Sequence, residues 1–354
     1  MAIPSVSVLI DTYNHEKFIE QAIVSVLEQD VPPAEMEVIV VDDGSTDSTP
    51  SIIRKFRPRV RYLRKENGGQ ASAFNVGIPE AHGGIVAFLD GDDWWAKDKL
   101  RCMLDAFANN PEVGAVGHSF FEADVESGRT LPIRPLGEYR LRLSNPKEAL
   151  LFTQLRCFLG TSRVGIRKAV LSQVLPIPEE LMVEADEFMF TLAVAMGGAL
   201  VLERPLTYYR LHDNNLFQFR AGNVTKVRRK RNVLRCLARE LPPRLALLGV
   251  PRDVIDTIIK PVWVEGERLH LMLGEGKPLD TFRVERAAYS TAYRRTSLAY
   301  RAFKSLVLLS TLLMPPRQFY RVKNWYAAKG LRRMRRILGE PTPAAPILDG
   351  ESEI

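Results

Sequence analysis

Apolar and polar positions alternate regularly through the first 120 residues. Short apolar runs that end in polar residues predict buried strands at 5–10, 37–43, 60–63, 84–90 and 113–121. Stretches with apolar residues at helical spacing separate them and predict helices at 18–29, 48–56, 67–81 and 97–110. Strands and helices in this order are typical of a mostly parallel sheet with helices on both faces. The hydrophobic pattern therefore predicts an α/β fold.

The pattern is less regular after residue 121. The stretch "ESGRTLP" (126–132) predicts a hairpin turn, and a helix at 184–198 is followed by a predicted strand at 199–203. We expect a polar loop rich in aromatic residues at 204–215. From about residue 222 the pattern is helical and basic, and residues 341–354 have the composition of a disordered tail.

Several carboxylates follow the predicted strands directly. Asp11, Asp42, Asp43 and Asp90 each stand at the carboxyl end of a strand. In an open α/β sheet these ends share one edge, and ligands bind beside it. Four placements that agree on the same edge predict a ligand site there.

The stretch "LDGDDWW" (89–95) places three carboxylates within four positions. Like charges this close repel one another, so a positive partner is expected. Mg²⁺ and Mn²⁺ take oxygen ligands, commonly one or two carboxylates with substrate phosphates and water, and Asp90 and Asp92 can face one pocket. The alternative is an acidic turn that caps the next helix. We favour the metal because the turn follows a buried strand and precedes two tryptophans.

Two further features favour a nucleotide at the same edge. In "VVDDGSTDST" (40–49), a carboxylate at the strand end can accept the ring N–H of a pyrimidine, although an ordinary turn with an Asp helix cap has the same pattern. Tyr13 can stack on a planar base, or it can pack at a domain edge. In "NGGQASAFNVGI" (67–78), we expect Asn75 near the base.

These motifs, in this order, resemble those of the family-2 glycosyltransferases, which have the GT-A fold. The matching segments are Thr12-Tyr13-Asn14, "VVDDGSTD", "NGGQASAFNVGI" and "FLDGDD". Further along, "VEADEFMF" resembles the acidic motif that supplies the catalytic base of the family, and "YYRLHDNN" resembles its Y-R-x-H loop near the diphosphate. The resemblance covers about residues 3–215.

The resemblance implies roles on the donor side of the site. Asp43 would bind uracil or another base, with Tyr13 stacking beside it. Asp90 would lie near the sugar and the ribose, and Asp92 would coordinate a divalent metal, Mg²⁺ or Mn²⁺, on the diphosphate. Asp11 stands where many relatives carry a small polar residue. This extra carboxylate near the base could change nucleotide preference. We therefore expect a uridine nucleotide, but the motif does not assign the base.

The resemblance also implies roles on the other side of the sugar. Asp186 would be the general base that deprotonates the acceptor hydroxyl. The motif reads Ala185-Asp186-Glu187 where the family usually has Glu-Asp, so Glu184 and Glu187 are alternatives. Arg210 and His212 could assist the leaving diphosphate, and the alternative for Arg210 is a surface salt bridge.

We therefore expect an inverting glycosyltransferase that moves a sugar from a nucleoside-diphosphate sugar to an acceptor hydroxyl by metal-assisted direct displacement. The expected acceptor is a saccharide or lipid-linked saccharide, in cell-surface polysaccharide or glycolipid synthesis. We predict a GT-A domain at 1–220, with a nucleotide-sugar half at about 1–110 and an acceptor half at about 111–220, and a helical basic extension at 221–340. The alternative is a catalytically inactive protein that binds a nucleotide-sugar or acts as a scaffold.

Charge separates the two predicted domains. Residues 1–219 carry 22 basic and 30 acidic side chains, and residues 220–354 carry 27 and 12. Segment 226–235 is strongly basic, segment 301–316 has a short apolar core, and segment 321–338 mixes Trp and Tyr with basic residues. Interfacial membrane helices have this composition of cationic, apolar and aromatic residues. The three segments predict peripheral attachment to an anionic membrane surface. The alternative is a helical subdomain that packs its leucines internally.

Other features bound the cellular setting. The chain has no uninterrupted apolar run of about 18 residues, and its first residues read as a strand instead of a signal peptide. Its three cysteines, Cys102, Cys157 and Cys236, have no metal spacing and lie far apart. We expect a cytoplasmic protein, peripheral on the inner face of the membrane. No nucleic-acid-binding motif is present, so a nucleic-acid partner is not expected.

Overall fold

The computed structural model of the protein describes residues 4–212, 224–292, 298–328 and 348–349. Its strands are β1 (Val6–Thr12), β2 (Met36–Asp42), β3 (Arg61–Arg64), β4 (Ile85–Asp90), β5 (Trp94–Trp95), β6 (Ala115–Asp124), β7 (Thr130–Pro135), β8 (Tyr139–Leu141), β9 (Gly165–Arg167), β10 (Ala199–Leu211) and β11 (Leu348–Asp349). Its helices are α1 (Ile19–Leu27), α2 (Thr49–Arg54), α3 (Gln70–Glu80), α4 (Lys99–Asn109), α5 (Pro146–Leu155), α6 (Lys168–Val174), α7 (Ala185–Gly197), α8 (Val224–Leu247), α9 (Arg252–Met272), α10 (Pro278–Ala292), α11 (Leu298–Ser310) and α12 (Pro316–Ala328).

The central part of the sheet is parallel. Strands β3, β2, β1 and β4 lie side by side in that order, and each neighbouring pair runs parallel. The short strand β9 lies antiparallel between β4 and β6, so β6 runs in the same direction as β4. Strand β10 continues parallel beside β6. The predicted α/β fold with a mostly parallel sheet is confirmed.

Both faces of the central strands are buried, as the continuous apolar runs predict. Alternate residues of a strand point to opposite faces, so Val8 and Ile10 join a core that includes Ile19 and Ile23 of α1. Leu9 lies on the other face, against Gly77 of α3. A β-carbon added to Gly77 would lie 2.4 Å from the Leu9 side chain. A larger residue than glycine would therefore push helix and strand apart.

Two predictions for the middle of the chain have different outcomes. The hairpin turn is confirmed, because β6 and β7 are antiparallel on either side of it. The polar loop is wrong for residues 204–211, because β10 continues to Leu211. The pairing of β10 with β6 shifts register on both sides of Pro205, and such an irregularity accommodates a residue without a backbone N–H. Tyr208 then stacks on Trp94, with ring centroids 4.9 Å apart.

The described residues form two compact units. The first comprises residues 1–215, 240–255 and 347–354, and the second comprises 216–239 and 256–346, in each case within the described ranges. The predicted boundary near 220 lies outside the described residues, and so does the predicted tail apart from 348–349, which pair with β7. Among the described helices, none is long and apolar enough to cross a membrane.

Candidate functional site

The carboxyl ends of the central strands are in register and carry acidic side chains. Asp11 of β1 lies opposite Asp90 of β4, and Thr12 of β1 lies opposite Asp42 of β2. The structure thus brings the strand-end carboxylates to one edge of the sheet, as the sequence predicts. The chain turns there at Gly91, whose N–H donates to the carbonyl of Asp11 at 2.9 Å.

Asp11 and Asp90 form the buried part of this edge. Burial raises the pKa of both carboxyls well above its ordinary value, and the charge of Asp92 raises it further. The charge of Asp11 also raises the pKa of Asp90. One carboxylate oxygen of Asp11, Oδ1, is buried without a hydrogen-bond partner. Asp90 is better supported, since Gln70 Nε2 donates to Oδ1 at 3.2 Å and Ser162 Oγ donates to Oδ2 at 3.2 Å. Among the described residues, the ion pairs at this edge involve Asp92 and not Asp11 or Asp90.

Asp92, the predicted metal ligand, lies between two imidazoles. Its Oδ2 is 3.1 Å from Nε2 of His212 and 3.8 Å from Nε2 of His15. Burial alone would raise the pKa of Asp92, but the two imidazoles hold it below its ordinary value. His15 is a residue that the sequence analysis missed. Its only signal was its place in "DTYNHEK", directly after the first strand.

Arg210, predicted on the diphosphate side, lies beside Asp92. Its Nε donates to the Asp92 carbonyl at 2.6 Å, and its backbone N–H donates to Asp93 Oδ1 at 2.9 Å. The guanidinium lies over the rings of Phe18 and Trp94, 4.6 and 4.4 Å from their centroids. The alternative of a simple surface salt bridge is wrong, because Arg210 is 9% exposed and holds the acidic turn in place.

Asp186, the predicted base, is in the first turn of α7. Its Oδ2 accepts a hydrogen bond from the N–H of Thr161 at 2.9 Å, and its negative charge contributes to the raised pKa of Asp11 and Asp90. Glu187 instead forms an ion pair with Arg156. Of the alternatives, Glu184 precedes the helix with a left-handed backbone, φ 58°. Asp186 is therefore the acid of this motif that is electrostatically coupled to the strand-end carboxylates.

Asp43 connects the second strand to the glycine turn before α3. Its carboxylate accepts hydrogen bonds from Lys65 Nζ at 2.7 Å and from the N–H groups of Gly68 and Gly69 at 3.0 and 2.7 Å. Asp43 thus fixes this turn, and its contact with a base stays a prediction. Tyr13 is 44% exposed just beyond the end of β1, where its ring is open to solvent.

Asn75 has a different role from the predicted one. Its Nδ2 donates to the carbonyl of Ile177 at 2.8 Å, and its Oδ1 accepts from the N–H of the same residue at 2.8 Å. Both ends of the amide are therefore engaged in holding the segment before α7. This geometry corrects the sequence interpretation, and we leave Asn75 out of the nucleotide site.

A turn at Thr161–Arg163 supports both sides of the acidic edge. Thr161 holds Asp186 through its N–H, and Ser162 holds Asp90 through its hydroxyl. The carbonyl of Ser162 in turn accepts from Trp95 Nε1 at 3.1 Å, Thr207 Oγ1 at 2.6 Å and Lys99 Nζ at 2.6 Å. The sequence analysis missed this turn, because it lies in the irregular region and carries no motif.

Asp93 and Lys99 lie beneath this edge. Burial and then the charge of Asp92 raise the pKa of Asp93 to about 7. Burial lowers the pKa of Lys99 well below its ordinary value, and its ammonium lies 3.6 Å from the centroid of the Trp95 ring. Both residues are buried and therefore support the acidic turn from inside the fold.

The fit of a divalent cation can be tested on these groups. No three His, Cys, Asp or Glu side chains among the described residues form a set that could hold a metal alone. Mg²⁺ and Mn²⁺ usually need only one or two carboxylates, with substrate phosphates and water completing the shell. Asp92 with His212 offers such a partial set, and the unpartnered oxygen of Asp11 marks uncompensated negative charge nearby. The residues fit a cation that arrives with a diphosphate.

The sheet is mostly parallel and carries carboxylates at the carboxyl ends of its strands. Strand β10, which carries Arg210 and ends beside His212, continues this sheet. This architecture is that of the GT-A glycosyltransferases. Residues 7–175 match the model of a family described as "Glycosyl transferase family 2". The matched part of the chain, residues 7–175, belongs to this family.

Individual relatives agree with this assignment. The chain is 32% identical over 217 residues to an uncharacterized glycosyltransferase of Nostoc, a match that covers 59% of this chain and 66% of that protein. It is 32% identical over 196 residues to the poly(ribitol-phosphate) β-N-acetylglucosaminyltransferase TarS of Staphylococcus aureus, covering 54% of this chain and 32% of TarS. The matches thus span less than two thirds of these relatives.

Solved structures share the fold. The crystal structure of residues 1–349 of S. aureus TarS superposes with a TM-score of 0.56 and 20% identity, covering 90% of this chain and 92% of that one. The same TarS fragment in complex with UDP-GlcNAc superposes with a TM-score of 0.53 and 20% identity, over 83% and 94% of the chains. At this identity the likeness establishes the fold, and the predicted GT-A architecture is confirmed.

Proposed function

We propose that this protein transfers a sugar from a UDP-sugar to an acceptor hydroxyl with inversion at the anomeric carbon. The observation that carries the proposal is the arrangement of Asp11, Asp90, Asp92 and Asp186. Three of these acids lie at one edge of a nucleotide-binding type of sheet, and Asp186 is electrostatically coupled to them from a separate helix. Carboxylates on two sides of one site suit a reaction that receives a leaving diphosphate on one side and removes a proton on the other.

On the donor side, the proposed nucleotide site lies at the ends of β1 and β2. Tyr13 presents an exposed ring on which a base can stack, and Asp43 is fixed by the adjacent glycine turn, from where it can accept the ring N–H of uracil. Asp11 and Asp90 would lie beside the ribose and the sugar. The UDP-GlcNAc complex of the TarS fragment supports testing UDP-GlcNAc as the first donor.

On the diphosphate side, Asp92 and His212 would hold a divalent metal, Mg²⁺ or Mn²⁺. When bound, this cation would neutralise the charge that develops on the departing diphosphate. His15, 3.8 Å from Asp92, is close enough to orient the carboxylate or to donate to a phosphate oxygen. Arg210 fixes the backbone of the acidic turn, so the position of Asp92 does not depend on the ligand.

On the acceptor side, Asp186 would take the proton from the attacking hydroxyl. The N–H of Thr161 holds one carboxylate oxygen of Asp186, and this hydrogen bond fixes its orientation. Direct attack on the face opposite the diphosphate inverts the anomeric carbon. Glu187 is less suited as the base, because Arg156 neutralises it within the protein.

The proposed acceptor is a saccharide or a lipid-linked saccharide of a cell-surface polymer. The support comes from relatives of similar sequence, such as TarS, whose name describes transfer to poly(ribitol phosphate), and the Bacillus subtilis protein TuaG, named as a putative glycosyltransferase of teichuronic acid synthesis. TuaG is 46% identical over 107 residues, which are 29% of this chain and 41% of TuaG.

The proposal is tested with a panel of UDP- and GDP-sugars and nucleoside diphosphates. We expect UDP binding by calorimetry that strengthens with Mn²⁺ or Mg²⁺, and release of UDP from one UDP-sugar when a saccharide acceptor is present. The Asp92→Asn variant and a chelated wild-type sample should both lose this turnover, whereas the exposed Asp105→Asn variant should retain it.

Two results would contradict the proposal. Full turnover in a chelated, metal-free sample would exclude the metal. Metal-strengthened nucleotide-sugar binding without turnover toward any saccharide acceptor would instead favour the alternative of an inactive nucleotide-sugar-binding or scaffold protein.

A further inference from the structure

The second compact unit exposes a row of leucines on α11 and in the turn after it. Leu306, Leu309 and Leu313 are 68%, 55% and 86% exposed, and Leu312 is 41% exposed. Residues 306, 309 and 313 are spaced three, then four positions apart, so they follow one face of a helix and its continuation. We call Leu306, Leu309, Leu312 and Leu313 the leucine face.

The leucine face is not needed to build the core of its own unit. Val307 and Met314, which belong to the same segment, pack against a separate cluster that includes Val284, Phe319 and Tyr320. The segment therefore has an inner side that contributes to the core and an outer side that carries the leucines. Exposed apolar patches of this kind are typical of interaction surfaces.

The charged residues of the segment that carries the leucine face have one sign. Residues 298–328 contain five Lys and Arg and no Asp or Glu. Arg301, Arg317 and Arg321 are exposed. A second copy of the chain would bring these like charges together, which disfavours self-association through this face. An anionic surface with an apolar interior satisfies both the arginines and the leucines.

We propose that the leucine face docks the second unit on an anionic phospholipid bilayer. Helix α11 has 13 residues, or about 20 Å at 1.5 Å per residue, which is shorter than the hydrocarbon core of a bilayer. The helix therefore lies in the interface, with its leucines among the upper acyl chains and its arginines among the phosphates. This attachment would bring the enzyme to lipid-linked acceptors, but it does not depend on the proposed transfer reaction.

The test is co-sedimentation of the full chain with vesicles of phosphatidylcholine, with and without phosphatidylglycerol, at low and high salt. We expect binding to the anionic vesicles that weakens with salt. The Leu309→Glu/Leu313→Glu variant should bind at least about tenfold more weakly. It loses the apolar contacts of two leucines, and its added negative charges are repelled by the anionic lipid. The matched control is Leu150→Glu, which changes a leucine of the first unit that is 52% exposed and should leave binding unchanged.

A second variant tests the charges separately. Arg317→Glu/Arg321→Glu should lower binding to anionic vesicles by about tenfold or more and should abolish its salt dependence. Thermal melting monitors the folding of each variant, and all four changed side chains are exposed. Wild-type binding by both double variants would overturn the proposal. A concentration-dependent dimer that Leu309→Glu/Leu313→Glu dissociates, without vesicle binding by the wild type, would overturn it in favour of self-association.

Discussion

Two clusters of charged side chains in this protein are built on opposite principles. In the second unit, the carboxylate of Glu285 accepts from Arg268 Nε at 2.9 Å, from Lys323 Nζ at 2.7 Å and from the hydroxyl of Tyr320 at 3.0 Å. Burial alone would raise the pKa of Glu285, but Arg268 and Lys323 hold it below its ordinary value. The cluster is complete within the protein, and it connects helices α9, α10 and α12.

The acidic edge of the first unit is incomplete. Asp11 and Asp90 have pKa values well above the ordinary one, and an oxygen of Asp11 has no hydrogen-bond partner. Among the described residues, the side chains of His15, His212 and Arg210 gather around Asp92. A structural cluster supplies its own counter-charges, whereas a binding site leaves charge that only a ligand or a proton can neutralise. This difference, and not the number of charges, distinguishes the two regions.

The largest expected effect is on turnover at the acidic edge. Asp186→Asn should lower kcat by about a hundredfold to ten-thousandfold, because the variant cannot accept the proton of the acceptor hydroxyl. Donor affinity should stay nearly constant, since Asp186 acts on the acceptor. Steady-state kinetics and calorimetric titration with the donor measure the two quantities separately.

Glu187→Gln is the matched comparison, because it changes the adjacent acid on the same helix. Its ion pair with Arg156 predicts a loss of stability with a smaller loss of kcat. A larger fall in kcat for Glu187→Gln or Glu184→Gln than for Asp186→Asn would transfer the role of the base to that residue.

The next effect concerns the complete cluster. Glu285→Gln should lower the free energy of unfolding by about 2–3 kcal/mol, because it leaves Arg268 and Lys323 close together without their counter-charge. Both cations are about one third exposed, so the loss should be smaller than for a fully buried pair. Chemical denaturation measures this change.

Nucleotide binding provides the control for this variant. We expect UDP affinity to be unchanged in folded Glu285→Gln, since the cluster holds helices together and binds no ligand. If Glu285→Gln bound UDP more weakly without losing stability, the Glu285 cluster would be part of a binding site and not a structural cluster.

The acidic edge was predictable because its signals are local. Each strand end shows as an apolar run followed by a carboxylate, so Asp11, Asp42 and Asp90 could be assigned to one edge before their register was known. The parallel order of the sheet follows from the alternation of strands and helices for the same reason. Periodicity and short motifs are sufficient for features of this kind.

The supports of the edge could not be predicted, because they depend on approaches between distant segments. Ser162 and Asp90 are 72 residues apart, and Lys99 and Ser162 are 63 apart. No pattern near Lys99 distinguishes it from an exposed lysine on an amphipathic helix, yet it is fully buried. The strand at 204–211 was predicted as a polar loop, because the irregular pairing that accommodates Pro205 depends on the neighbouring strand β6. Similarly, the two hydrogen bonds of Asn75 depend on Ile177, from a segment without a recognisable pattern.

The smallest expected effect is the pH dependence of stability caused by Asp93. Its folded-state pKa of about 7 lies above the ordinary value for an aspartate, so the folded state keeps a proton that the unfolded state loses. The stabilisation from this proton is fully present below about pH 4 and is lost as the pH rises through 7. In metal-free buffer, Asp93→Asn keeps the acceptor oxygen for the N–H of Arg210 and should remove this loss. Relative to the wild type, the variant should therefore gain unfolding free energy as the pH rises from 4 to 8.

Denaturant unfolding at a series of pH values measures this difference directly. Asp105→Asn is the control, because Asp105 is an exposed aspartate on the nearby helix α4 and its replacement should leave the pH profile unchanged. A profile for Asp93→Asn parallel to that of the wild type would mean that Asp93 is ionised in the folded protein. Asp93 would then carry its charge without proton uptake, as Glu285 does.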